Sequence, residues 1–79
     1  MSDTVVTPLS ETAWISIGIG PALIGAYGGD LLLVSAAEQP AAASVGFTVH
    51  CVGAPVQIQA TGTLWARALM PSAQAVVQQ

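Results

Sequence analysis

The chain has 79 residues, 53% hydrophobic and only 6% charged, with four acids, one arginine, no lysine and a net charge of −3. A chain this short forms one domain, here 1–79, and buries only about 60% of its unfolded surface. With Arg67 as its sole strong cation it cannot build the basic patch that phosphate binding needs, which excludes nucleic acid as a direct partner.

Small domains usually lean on disulfides, a metal or partner subunits. Cys51 is the single cysteine and His50 the single histidine, so neither an internal disulfide nor a tetrahedral metal cage can be completed. No cofactor is expected. Oligomerisation remains as the support, and the low charge agrees, since a monomer of this size should need more charge to stay soluble. A membrane role is not expected. The uncharged run 12–29 is broken by Gly18, Gly20, Pro21, Gly25, Gly28 and Gly29. The aliphatic run Leu31, Leu32, Leu33, Val34 is too short to span. No basic stretch leads into a hydrophobic segment near Met1, so no secretory leader is expected.

Taken in order, residues 1–10 read as an arm, with Val5 and Val6 preferring extended structure and Pro8 closing it. The arm is flexible or pairs with a neighbouring subunit. Residues 13–19 alternate with period two: Ala13, Ile15, Ile17 and Ile19 on one side, Trp14, Ser16 and Gly18 on the other. The isoleucine row should face the core, leaving Trp14 near an edge or interface. Gly20-Pro21 breaks the chain and a strand over 22–27 follows. Gly28 and Gly29 make a tight turn with freedom for positive φ. Residues 31–35 form a strand covered on both faces, and 36–44 a loop across the top or side of the fold.

Residues 46–52 form the next strand, with Phe47, Val49 and Cys51 aligned on one face. Strand 56–60 points Val56 and Ile58 inward, and Thr61-Gly62 reads as a hairpin turn. The closing strand, 62–70, places Leu64, Ala66, Ala68 and Met70 on the core side and Thr63, Trp65, Arg67 and Leu69 on the other. Residues 71–79 read as a flexible tail or a second arm that orders on assembly. The whole is an all-β fold, a small antiparallel sandwich or barrel of about six short strands over 12–70 with flexible terminal arms.

Catalysis needs converging titratable groups, and none converge here. His50 and Cys51, adjacent on a strand, would point to opposite faces. Cys51 then reads as a small buried hydrophobe and His50 as a sheet-surface side chain. Glu11, Asp30 and Glu38 lie far apart in sequence, and Gly18-Ile19-Gly20 has no helix behind it to make a phosphate loop. No enzyme is expected. Arg67 lies two residues from Trp65 on one strand face, so its guanidinium can rest on the indole. It is an ordinary solvated arginine, pairs with Glu11 or Asp30 of its own subunit, or anchors a partner, since Trp and Arg dominate interface hot spots. The candidate interface residues are Trp14, Trp65, Arg67, Val5 and Val6.

The succession Trp14-Ile15-Ser16-Ile17-Gly18, Gly20-Pro21-Ala22-Leu23, a strand ending in Ser35, a loop with Pro40, Gly46, and Leu64-Trp65-Ala66-Arg67-Ala68 resembles small β-domains of tailed-bacteriophage virion proteins, over residues 12–69. Such domains serve as capsid decoration (cement) proteins or as parts of head and tail fibres. The resemblance implies a homo-oligomer, with a trimer favoured, seated on the major capsid protein at the outer surface of the virion, and no enzymatic activity. The expected function is therefore a capsid decoration protein that stabilises the phage head. The alternative is a receptor- or glycan-binding or structural part of a head fibre or tail, in which Trp14, Tyr27 and Trp65 would stack on sugar rings.

Overall fold

The structure is a computed structural model that describes residues 4–41, 44–59 and 61–78. All regular structure in these residues is β. The strands are β1 (Thr4–Pro8), β2 (Ile15–Ile19), β3 (Ala22–Tyr27), β4 (Leu31–Ser35), β5 (Phe47–Val49), β6 (Val56–Ile58), β7 (Thr63–Ala68) and β8 (Gln74–Gln78). They form two four-stranded antiparallel sheets, ordered β1-β8-β3-β6 and β2-β7-β4-β5, here sheet A and sheet B.

One operation generates this order. The pairs β1·β8, β2·β7, β3·β6 and β4·β5 are those of a single long hairpin laid out flat. Rolling that hairpin up brings β3 against β8 and β4 against β7, which supplies the two remaining pairings. Every connection except β4–β5 then passes from one sheet to the other. This is the strand order of a jelly roll.

Glycine and proline make the corners possible. Gly20-Pro21, a cis peptide, carries the chain from sheet B to sheet A. Gly28 and Gly29 carry it back with φ of 78° and 157°. A Cβ at Gly28 would run into the Ser72 carbonyl, and one at Gly29 would come 2.9 Å from the Met70 Cβ. Glycine is therefore required twice, by backbone conformation and by the close pass of the β7–β8 turn.

Between the sheets lies a core of small and branched side chains. Ile17, Leu31, Leu33, Leu64 and Ala66 come from sheet B; Ala22, Ile24, Ala75 and Val77 come from sheet A. On β7 the buried positions are Leu64, Ala66 and Ala68, alternating with half-buried Thr63, Trp65 and Arg67, as the period-two reading expects. On β2 a register shift between Ser16 and Gly18 marks a bulge. Ile17 is in the core, but Ile19 opposes Thr63 and faces outward.

Several expectations change. There are eight strands, not about six. Residues 4–8 are no loose arm but β1, paired with β8 of the same chain, Val5 opposite Val77 and Val6 opposite Val76. The described part of the expected tail, residues 71–78, is no tail either: β8 lies inside sheet A, bonded to β1 and β3. Thr61-Gly62 does not close a hairpin, because β6 belongs to sheet A and β7 to sheet B. The strand expected at 46–52 stops at Val49, where the chain turns toward Asp30. The ends of the expected arms at 1–3 and 79, and of the strand expected through 60, lie outside the described residues.

Candidate functional site

β5 and β6 end their sheets side by side, each only three residues long, and are not bonded to one another. Phe47 opposes Leu33 and Val56 opposes Ile24, so both registers aim these side chains into the layer between the sheets. Yet Phe47 is 79% exposed, and Val56 is also exposed. The sandwich is open here. Its mouth is a cavity of about 330 Å³ lined by Leu33, Phe47, Thr48, Val49, Val56 and Ile58. A second hollow of about 120 Å³ continues past Leu33, Phe47 and Ile58 to Leu64. Val45 and Val52, on either side of β5 in the chain, are almost fully exposed. No residue lining either hollow carries a charge.

The outer face of sheet B is built differently. Residues 36–41 fold back over it, held by the two indoles. Trp14 Nε1–H donates to the Ala41 carbonyl at 2.9 Å, and Trp65 Nε1–H to the Ala36 carbonyl at 3.0 Å. The Gln39 side-chain amide donates to the Trp14 carbonyl at 2.9 Å. Trp14 is only 1% exposed, which corrects its expected place at an edge or interface. It does lie opposite the isoleucine core face, as alternation says, but the chain covers that face itself. Gly46 makes room for the ring, since a Cβ there would sit 3.1 Å from the indole edge and 2.8 Å from the Leu33 carbonyl oxygen.

Arg67 reaches this cluster too. Its guanidinium carbon lies 5.6 Å from the centre of the Trp14 ring, so the cation–π partner is Trp14 rather than the expected Trp65. Val5 and Val6 on β1 are both about half exposed. The five residues singled out thus form no single patch. Trp14, Trp65 and Arg67 gather beside residues 36–41, and Val5 and Val6 lie on the other sheet. Tyr27 is exposed on the outer side of sheet A, so the three rings proposed to stack on sugars share no surface.

Asp30, in the β3–β4 turn, ties down the end of β5. Its Oδ1 accepts the Cys51 backbone N–H at 2.9 Å, and its Oδ2 lies 3.3 Å from His50 Nδ1. The Cys51 N–H bond is the main reason that the Asp30 carboxyl is held below its ordinary value, with His50 adding to it and partial desolvation opposing. His50 and Cys51 therefore sit in a turn, not on a strand. Cys51 is exposed rather than buried. The Asp30 bonds hold the chain just past the end of β5 at Val49. Among the described residues, no three His, Cys, Asp or Glu side chains converge in a manner suited to a metal ion.

The mouth was hidden from sequence reasoning. Alternation correctly puts Phe47, Val49, Val56 and Ile58 inward, but only the topology reveals that their strands end the two sheets without meeting. What the mouth offers chemically is desolvation: an apolar hollow without an ionisable group suits burial against apolar surface. Comparison with known proteins found no matching family model, no matching curated protein and no matching solved structure.

Proposed function

We propose that this chain is a non-enzymatic structural protein that acts by association, and that it serves as a capsid decoration protein on the outside of a tailed-phage head. The observation that carries this reading is the β5–β6 mouth, an uncharged apolar hollow that the chain leaves open although its core residues point into it. Burying a side chain such as Phe47 or Val52 against a partner is worth about 1.5–3 kcal/mol each. Association itself costs an estimated 4–15 kcal/mol, so one mouth gives a modest contact, and many copies on one shell act together. The partner is the major capsid protein, bound at the mouth. The fold is compatible, since jelly rolls occur in viral capsid domains as well as in lectins and cupins, although fold alone never assigns function.

The test is binding of the purified protein to expanded phage heads, followed by co-sedimentation. Wild type should saturate the heads at a fixed number of copies per capsomer. Phe47→Ser should abolish binding with an unchanged melting curve, because Phe47 is mostly exposed in the free chain. A wild-type protein that leaves the heads bare overturns the reading.

A further inference from the structure

The two outer faces of the sandwich are treated unequally. Sheet B has residues 36–41 laid over it, whereas no described segment lies over sheet A. The rows across its outer side follow from the registers: Pro8, Gln74, Tyr27; then Val6, Val76, Gly25; then Thr4, Gln78, Leu23, Gln57. None of the four strands contains Asp, Glu, Lys, Arg or His. Val6 and Tyr27 are more than half exposed.

Gly25 is the informative residue. It lies inside β3, between two strands, in an unbroken register with β8. It does not have positive φ. A Cβ placed there would meet only the Val76 Cβ, at an ordinary 3.9 Å. Nothing within the chain therefore requires glycine, although glycine weakens a strand interior. A glycine of this kind marks a place where another backbone or side chain comes close from outside.

We propose that the outer face of sheet A packs against the same face of a second copy, with Tyr27 of each copy seated over Gly25 of the other. The inference rests on the association reading above and names the partner of one face. Tyr27 lies two residues from Gly25 on the same side of β3, about 7 Å along the strand. A bulky ring and a bare position so placed are self-complementary under a two-fold axis. Stacked sheets fill a gap of about 10 Å when large side chains meet small ones. Each chain has a net charge of −3, yet Glu11, Asp30 and Glu38 lie in connections and the four strands carry no charged side chain, so the described rows of two copies can meet without setting like charges against one another; the fourth acid, Asp3, lies outside the described residues. Asp30, the nearest to Tyr27 along the chain, turns its carboxylate to His50 and Cys51 instead. The contact is isologous and makes dimers. The trimer implied by the family resemblance would need a different surface. In projection the face covers roughly 17 Å by 19 Å from strand rise and spacing. That falls short of the about 800 Å² per partner of a standard interface, so a weak, reversible dimer is expected.

Sedimentation velocity from about 10 µM to 1 mM, the range suited to weak dimers, tests this. Wild type should show a mass that rises with concentration and depends only weakly on salt, because the strands of the face carry no charged side chain. Gly25→Val should weaken the dimer by about tenfold or more, with a dilute-solution melting point no lower than that of wild type. Tyr27→Ala should weaken it similarly and decides the matter if Gly25→Val folds poorly. Phe47→Ser, at the mouth, should leave dimerisation unchanged. A wild type that stays monomeric throughout overturns the proposal, as do a folded Gly25→Val and a Tyr27→Ala that both dimerise like wild type. A monomer that still coats phage heads would sink the face and spare the functional reading. A dimer that ignores heads would do the opposite.

Discussion

Val76 and Val77 are neighbours on β8 with opposite surroundings, and replacing each by alanine tests whether residues 74–78 are a strand or a tail. Val77 is 3% exposed and lies between Val5 and Ile24. Val76 faces outward and is half-buried. Val77→Ala removes two buried methyl groups, about 1.6 kcal/mol of transfer free energy. An unrelaxed cavity of some 50 Å³ would add about 1 kcal/mol. The expected cost is therefore roughly 2–3 kcal/mol, against a total stability of roughly 4–12 kcal/mol for a chain of this length. Val76→Ala should cost under about 1 kcal/mol, because its methyls are only partly shielded. Urea titrations at low protein concentration, followed by tryptophan fluorescence, should show Val77→Ala with a lower midpoint and an unchanged slope. Its melting point should fall by roughly 10–20 °C at the usual 4–8 °C per kcal/mol for small domains. If both variants melt within about 0.5 kcal/mol of wild type, residues 74–78 behave as a tail and β8 is refuted.

Two further outcomes follow from the site geometry. Trp14→Ala should cost about 3–5 kcal/mol and speed proteinase K cleavage within 36–46, whereas Trp14→Phe, which loses the bond to Ala41, should cost about 1 kcal/mol; unchanged cleavage in Trp14→Ala would mean that the indole does not hold the loop. Asp30 has a carboxyl lowered in the folded state, so its contribution to stability is present above the ordinary value of 3.8 and is lost as pH falls through the lowered value. Asp30→Asn should accordingly be less stable than wild type near neutrality, with the difference closing as pH falls through the lowered value; a difference that stays constant across the acid range would show that the carboxylate charge is not what holds the β5 end.

How much of this was legible in the sequence depended on the range of the physics involved. Period-two alternation is local, so the all-β class, the inward set Leu64, Ala66, Ala68 and the glycine turn at 28–29 could all be read directly. β8 was not legible because its core residues are Ala75 and Val77 beside an outward Val76, which blurs alternation in a glutamine-rich run. Sheet membership was not legible either. A two-residue Thr61-Gly62 turn looks the same whether it closes a hairpin or rounds a corner between sheets. The position of Trp14 was read to the correct face, but burial of that face depends on a loop of alanine, proline and glutamine with no periodic signal. Phe47 shows the reverse failure: its alignment with Val49 was read correctly, and its exposure follows from two edge strands that end their sheets without pairing, which only the three-dimensional arrangement reveals.

The unequal faces are a consequence of the rolled hairpin. Only β4–β5 connects neighbours in one sheet, and it alone has length to spare: residues 36–46, against six residues or fewer in every other connection. Those shorter connections are used up in crossing between sheets, so none of them can return over sheet A. Its outer face is therefore stable in water on its own and, on the proposed pairing, available to a second copy. The rows of Thr4, Gln57, Gln74 and Gln78 serve the first need by keeping polar groups hydrated around a narrow apolar row. Val6, Val76 and Gly25 serve the second, with Tyr27 at the margin. A face divided in this way favours a contact that forms and breaks, because covering it strips water from glutamines as well as from valines. The β5–β6 mouth carries no such polar rows. On the proposed reading, attachment to the capsid belongs at the mouth, where many modest contacts act together, and reversible pairing of copies belongs on sheet A.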